Sequence, residues 1–163
     1  MALFGERRDV DLILSINREL LQKIIQQKVG YYKIDLEETV SNIYGESSNK
    51  SYHQPILIDC LISLEGQVAK NQNGLPTVTR KTTFSFLRDM LKTAGLVPER
   101  GDVVLHNENF YIVDNIIDNQ YFLGKYPEYS YSNDTDNFGE SVSLVLEATL
   151  TSAEKLNLKR ERL

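Results

Sequence analysis

Residues 101–125, "GDVVLHNENFYIVDNIIDNQYFLGK", indicate most clearly how this chain folds. It contains three short runs rich in β-branched and aromatic residues, at 103–106, 109–114 and 120–124, separated by the polar groups "HNEN" and "DNIIDN". β-Branched and aromatic residues favour strands, whereas clusters of Asn and Asp favour turns. The stretch therefore predicts a meander of antiparallel strands.

Further strands are predicted on both sides of this meander, each rich in strand-forming residues and bounded by Gly, Pro or polar residues. They are "YYKIDL" at 31–36, "ILIDCLISL" at 56–64, "TFSFL" at 83–87 and "SVSLVLEATLTS" at 141–152. The length of 56–64 favours a central strand, whereas 65–78, rich in Gly and amides, and the polar 126–140 predict loops. Together these runs predict a mainly β fold, either a small antiparallel barrel or a sandwich.

The clearest helix is predicted at residues 9–28, "DVDLILSINRELLQKIIQQK", with Asp9 as its N-cap and Gly30 as its stop signal. At about 100° per residue, an arc of roughly 180° contains Val10, Ile13, Leu14, Ile16, Leu20, Leu21, Ile24 and Ile25. Such a wide face fits burial in the protein's own core or contact with a second subunit, and the sequence leaves both open. A short internal helix is predicted at 87–95, and a last helical turn follows Ser152.

The composition limits the classes of function. The chain has 163 residues, 41% of them hydrophobic and 25% charged, as is typical of one soluble globular domain. We expect one domain over 1–163, with an N-terminal arm and helix at 1–30, a β-rich core at 31–152 and a charged tail at 153–163. The net charge of −5 argues against a general nucleic-acid binder, which needs a basic face for the phosphates.

The cysteine count and the hydropathy pattern bear on the compartment. A single cysteine, Cys60, excludes an internal disulfide, and its apolar surroundings predict a small buried residue. No apolar run reaches the roughly 18 residues of a membrane-spanning helix. The N-terminal "MALFGERRDV" is too short and too charged for a signal peptide. We therefore expect synthesis in the cytoplasm and no membrane association.

No constellation of reactive side chains is visible in the sequence. The two histidines, His53 and His106, have no Cys, Asp or Glu at ligand spacing. The acidic "DTDNFGE" fails as a calcium loop, because Phe138 and Val145 occupy positions that need oxygen ligands. The adjacent Glu37 and Glu38 point apart in either a strand or a helix. We therefore expect no enzyme and no catalytic, cofactor-binding or metal-binding residues.

The aromatic composition points to contacts with other proteins. The chain has nine tyrosines and no tryptophan, and tyrosine is enriched where proteins meet. Those expected in loops or at strand edges are Tyr31, Tyr32, Tyr44, Tyr52, Tyr126, Tyr129 and Tyr131. The alternative is that several of them cap the ends of a barrel.

Two regions are candidate docking surfaces. The first is "NIYGESSNKSYHQPILIDCLI", residues 42–62, where a polar stretch leads into a strand. The second is the pair of basic clusters at 6–8 and 159–162, which lie at the two ends of an otherwise acidic chain and suit contact with a neighbouring subunit. Two solvated tails are the alternative. The candidate interface residues, with two from the tyrosine-rich loop, are Tyr44, Glu46, Lys50, Tyr52, Arg7, Arg8, Tyr129, Tyr131, Lys159, Arg160 and Arg162.

Two local segments carry a resemblance to a known class of protein. They are "NIYGESSNKSYHQP" at 42–55 and "PERGDVVLHNENFYIVD" at 98–114. In this order, and together with the sequence from about residue 15 to the end, they resemble the neck proteins, or head–tail connector and head-completion proteins, of contractile-tailed bacteriophages. In that pattern Gly101 and Asp102 begin a strand through a tight turn.

The resemblance implies a virion structural protein without a cofactor. Such subunits form homo-oligomeric rings, six- or twelve-fold, in the neck between the portal and the tail, and are assembled in the host cytoplasm. The implied partners are other copies of the chain, a portal-side adaptor and tail-terminator proteins. Packaged DNA would pass through the ring without specific binding, which an acidic or neutral lining favours.

Two other functions remain open at the level of sequence. A tail terminator, which caps the tail tube or sheath, shares ring symmetry and a β core but binds tail proteins. A small ligand-binding β-barrel would instead use the tyrosines of 126–140 as the rim of its site.

Overall fold

The computed structural model describes residues 7–41, 47–64, 68–72, 75–120, 142–156 and 158. Its helical elements are α1 (Arg7–Glu19), a π-helical segment (Leu20–Ile25) that continues it, α2 (Arg88–Thr93) and α3 (Ala153–Leu156). Its strands are β1 (Lys28–Tyr32), β2 (Ile34–Ser41), β3 (Ser47–Tyr52), β4 (Ile56–Asp59), β5 (Leu61–Leu64), β6 (Val68–Gln72), β7 (Leu75–Thr79), β8 (Lys81–Leu87), β9 (Val103–His106), β10 (Asn109–Gln120) and β11 (Ser143–Thr151). The protein is therefore mainly β, as the sequence predicts.

The meander lies at the centre of a seven-stranded antiparallel sheet of order β4-β1-β9-β10-β11-β8-β5. Asn107 and Glu108 connect β9 to β10 with φ angles of 47° and 63°, the positive values that tight two-residue hairpins need. The predicted turn at "DNIIDN" is wrong. Strand β10 continues through this segment to Gln120. Its register against β11 shifts near Asp114 and Asp118, so these polar residues lie in bulges and do not end the strand. Residues 121–124 lie outside the described residues.

The segment 56–64 forms both edges of this sheet, so its prediction as a central strand is wrong. Strand β4 pairs with β1, β5 pairs with β8, and only Cys60 separates β4 from β5 along the chain. The two edges therefore meet at Cys60, and the sheet is curled. Because no ladder in the described part of the chain joins β4 to β5, the sheet is not a closed barrel. The other described sheets have two strands each, so the alternative of a sandwich is also not found.

Two long β-hairpins extend beyond the sheet. The β1–β4 ladder is continued by β2–β3, from Tyr31 opposite Ile56 to Ile34 opposite Tyr52. In the same way, the β5–β8 ladder is continued by β6–β7. The predicted loop at 65–78 is therefore largely a hairpin. The residues that connect β6 to β7 in the sequence are Asn73 and Gly74, which are typical of a tight hairpin rather than of a long loop.

The sheet is buried on both faces. The main core cluster lies on one face and includes the fully buried Phe84, Tyr111 and Leu146. A second cluster on the opposite face includes Val103, Leu105 and Phe110, and Leu156 of α3 covers it. Its remaining buried member is Tyr32, whereas Tyr31 belongs to the main cluster. The prediction that these two tyrosines lie in loops or at edges is wrong, because neighbouring residues of a strand point to opposite faces and both faces are buried here.

The N-terminal helix is attached by few contacts. The prediction of a long α-helix at 9–28 is not confirmed, since α1 has 13 residues and then widens into the six-residue π-helical segment. Leu21 is its only buried residue among those whose side chains are described. An ion pair between Arg18 and Asp89 joins α1 to α2, the predicted short internal helix. Gly95, at φ 66°, lies just after that helix, as a stop signal should.

A buried carboxylate fixes the start of the β2–β3 hairpin. Asp102 is completely buried and accepts three hydrogen bonds. The donors are the Tyr31 hydroxyl, the Ile34 N–H at 2.9 Å and the Glu99 N–H at 2.8 Å. Gly101, at φ 94°, makes the turn that brings Asp102 into this position. The "GD" pair therefore ties β1, β2 and the turn before β9 together.

Candidate interaction surface

The N-terminal helix presents a stripe of large apolar side chains to solvent. Leu12, Ile16, Leu20 and Ile24 follow one another at intervals of four residues and are 58%, 52%, 40% and 74% exposed. Side chains four apart on a helix lie one above the other along one face. Leu57, Leu61 and Leu64, on the edge strands, are also about half exposed. An exposed apolar surface of this kind is a candidate site of contact with another protein.

An apolar groove of about 530 Å³ runs beside this helix. One wall is helical and the other is a face of β8 and β11, where Ser143 pairs with Leu87 and Val145 pairs with Ser85. Phe84 and Phe86 on the same strand β8 alternate with these residues and belong to the main core cluster, and Phe86 also contributes to the groove lining. The lining residues are Asn17, Leu20, Leu21, Ile25, Leu61, Ser85, Phe86, Leu87, Val142, Ser143 and Val145.

The described lining of the groove is largely apolar. Among the described residues that line it none is charged, and the polar groups are the Asn17 amide and the hydroxyls of Ser85 and Ser143. What it can take is an apolar side chain or segment, with a few hydrogen bonds at the rim.

The described side chains whose pKa values are perturbed are not among the described lining residues of the groove. Burial, followed by the hydrogen bond to Asp102, raises the pKa of Tyr31 far above its usual range. Burial and then the charge of Asp59 raise the pKa of Cys60 to about 12. The pKa of His106 is lowered by burial and then by the charge of Arg80. Each of these shifts follows from packing in the sheet. In the described ranges, no three His, Cys, Asp or Glu side chains are grouped to hold a metal ion.

The predicted interface residues are only partly placed by the structure. Lys50 and Tyr52 lie on β3 and are half-buried. The Tyr52 ring packs against the second core cluster, and burial followed by the Asp102 charge raises its pKa to about 12. Arg7 and Arg8 begin α1. The predictions for Tyr44, Glu46, Tyr129, Tyr131, Lys159, Arg160 and Arg162 fall outside the described residues. The predicted set as a whole therefore stays a prediction.

Sequence reasoning anticipated one part of this surface and missed another. The wide apolar arc of the N-terminal helix left contact with a second subunit open, and three members of the exposed stripe, Ile16, Leu20 and Ile24, belong to that arc. Leu12, the fourth, lies outside it. The groove could not be predicted from the sequence. The apolar residues of β8 and β11, such as Leu87 and Val145, indicate that these strands are buried, but they do not indicate which element covers each face of the strands. The alternation of Ser85 with its phenylalanine neighbours was the available signal.

Comparison of the sequence with protein-family models and with curated proteins found no match. Over the stretches that the structure describes, no helix is both long and apolar enough to cross a membrane.

Proposed function

We propose that this protein is a structural subunit of the neck of a contractile-tailed bacteriophage, where it forms a ring between the portal and the tail. The resemblance of 42–55 and 98–114 to neck proteins supports this function. In this role the ring closes the filled head and provides the surface on which the tail docks. The partners are further copies of the chain, a portal-side adaptor and tail-terminator proteins, and the acidic chain lets packaged DNA pass without specific binding.

The observation that carries the proposal is the exposed stripe of α1 and its π-helical continuation. Four large apolar side chains, at 40% exposure or more, face solvent beside an uncharged groove. Complete burial of a fully exposed side chain of this size contributes about 1.5–3 kcal/mol. Because these four are already partly buried, covering the remainder contributes roughly 1–2 kcal/mol each. A complex in which a partner covers this surface is therefore stabilised, as contacts between the subunits of a ring require.

The shape of the fold also suits a ring. Subunits of a closed ring need two different surfaces, because each contact joins unlike faces of neighbouring copies. The curled sheet supplies a rigid body, and the β2–β3 and β6–β7 hairpins extend from it. The helical stripe supplies one surface, and the hairpins are long enough to reach an adjacent copy.

The test compares two variants in the phage that carries the gene. Ile16→Glu/Ile24→Glu places charge on the stripe, and Gln22→Glu places charge on an exposed polar residue of the same helical segment as the control. We expect the first variant to yield DNA-filled heads and tails that do not join, and the control to yield infectious particles. Normal particles from both variants would contradict the proposal. Joined heads and tails with tails of uncontrolled length would instead indicate a tail terminator.

A further inference from the structure

Two hairpin arms of opposite charge project from the sheet. The acidic arm is β2–β3, and the basic arm is β6–β7 together with Arg80 and Lys81 at its base. Residues 34–49 contain four acidic residues and no basic one, and Lys50 is the single basic residue of β3. Residues 65–81 contain three basic residues, Lys70, Arg80 and Lys81, and one acidic residue, Glu65. The two arms therefore carry complementary charge.

The sheet holds these arms at opposite ends. Every described ladder is antiparallel, so β4 and β5, the first and seventh strands in the order, run in the same direction. The acidic arm precedes β4 along the chain and the basic arm follows β5. The arms thus leave the sheet at opposite ends, and one molecule cannot pair its own two arms.

Both arms lack a third strand. Strand β2 pairs with β3 alone and β6 pairs with β7 alone, in the parts of the chain that the structure describes. An isolated two-stranded hairpin is marginally stable in water and exposes backbone hydrogen-bonding groups along its edges. The ion pairs seen among the described residues include Arg18–Asp89, Lys33–Glu99 and Arg88–Asp118, and Arg80 and Lys81 take part in none of those seen there.

We propose that the acidic arm of one copy docks against the basic arm of the next copy. The occupant of each arm is a second copy of this chain, because opposite charges at opposite ends of one molecule are satisfied by head-to-tail association. Such contacts are heterologous and form a ring when the rotation between copies closes. This inference deepens the proposed function and rests on it only for the expectation that the assembly closes.

Charge reversal separates this docking from a merely protective role of charge on strand edges. Glu37→Lys/Glu38→Lys makes both arms basic, and Arg80→Glu/Lys81→Glu makes both arms acidic. Each variant alone should associate more weakly than the natural chain, by about tenfold for each close pair lost. A one-to-one mixture should recover association, because each variant then presents the charge that the other needs. Circular dichroism and thermal unfolding of each variant show that it is folded before it is compared.

The readout is chemical cross-linking at low ionic strength, with an isotope-labelled and an unlabelled copy mixed. A carbodiimide couples a carboxylate directly to an adjacent amine, so even a weak complex leaves a permanent link. We expect links between copies that join 34–49 of one chain to Lys70 or Lys81 of the other. The absence of such links, or their persistence in either reversed variant alone, would overturn the proposal, as would a mixture no better associated than its components.

The two proposals can fail separately. Arm-to-arm links in a protein that is absent from the virion neck would contradict the proposed function and leave this inference standing. A neck ring whose assembly is insensitive to both charge reversals would do the opposite.

Discussion

Replacing Asp102 with asparagine should destabilise the fold out of proportion to the size of the change. The side chain is completely buried, and its two oxygens accept hydrogen bonds from three donors. One oxygen serves the Tyr31 hydroxyl and the Glu99 N–H, and the other serves the Ile34 N–H. Asparagine has nearly the same shape but offers one acceptor oxygen and one amide that can only donate.

The geometry fixes the size of the effect. In its better orientation the asparagine oxygen retains two donors, and its amide then faces the Ile34 N–H, which loses its acceptor. A hydrogen bond to a charged group contributes about 1.5–3 kcal/mol, and a buried donor left unpaired costs about 1–3 kcal/mol. We expect the free energy of unfolding to fall by about 2–4 kcal/mol, and the melting temperature by roughly 5–15 °C for a chain of this size.

Urea unfolding followed by circular dichroism measures this change. Asp114→Asn is the matched control, because Asp114 is exposed and its carboxylate meets only the Thr149 hydroxyl at the surface. The control should shift the free energy of unfolding by about 0.5 kcal/mol or less. Equal, small effects of the two substitutions would refute the reasoning that the Asp102 carboxylate holds β1, β2 and the turn before β9 together.

Three further predictions follow from burial. The Cys60 thiol, whose pKa burial raises to about 12, should react with a thiol reagent at pH 8 only after denaturant is added, and rapid labelling of the folded protein would contradict this. The fold lowers the pKa of His106 below its ordinary value of 6.5, so the unfolded chain binds more protons than the folded chain as the pH falls below 6.5. The contribution of His106 to stability should therefore be fully present above pH 6.5 and decline below it. His106→Gln should flatten this part of the pH profile of urea unfolding. Tyr52→Ala should lower the free energy of unfolding by about 3 kcal/mol because its ring packs on the second core cluster, and Tyr52→Phe should retain most of that stability; equal losses in both variants would contradict this assignment.

Much of the sheet could be predicted from the sequence because its strands carry strong local signals. The meander around His106 and the last strand were found from β-branched runs and Asn-rich turns. The turn predicted at 114–119 failed because bulges in β10 accommodate polar residues without ending the strand. The prediction of a loop at 65–78 failed because Asn, Gly and Pro also occur in hairpins, so their presence does not exclude strands on either side of a turn.

The larger errors concern partners in space. Residues 56–64 have the apolar character of a central strand, yet Leu57 and Leu61 are half exposed while Ile58 and Cys60 are buried. The residues before Cys60 pair with β1 and those after it pair with β8. Such partners depend on the order of strands in the whole sheet and cannot be predicted from the residues of this segment. The buried positions of Tyr31 and Tyr32 have the same origin, since burial on both faces depends on α3 and the main core arriving from distant parts of the chain.

The sequence indicates that the N-terminal helix has an apolar face, but not which part of that face is exposed. The apolar arc of the N-terminal helix is legible in the sequence, but its exposure depends on how little of it, chiefly Leu21, the sheet covers. The opposite charges of the two arms are also legible in the sequence. The sequence does not show where the two arms lie relative to each other. The strand order does, because it puts β4 and β5 at the two edges and the arms at opposite ends.

Cryo-electron microscopy of intact tailed particles from the phage that carries this gene would show whether the chain is a neck subunit. We expect a closed ring of density at the junction of head and tail, into which copies of the curled seven-stranded sheet fit with each helical stripe covered by protein. A junction built without this chain, or copies found only elsewhere in the particle or outside it, would show that the protein is not a neck subunit.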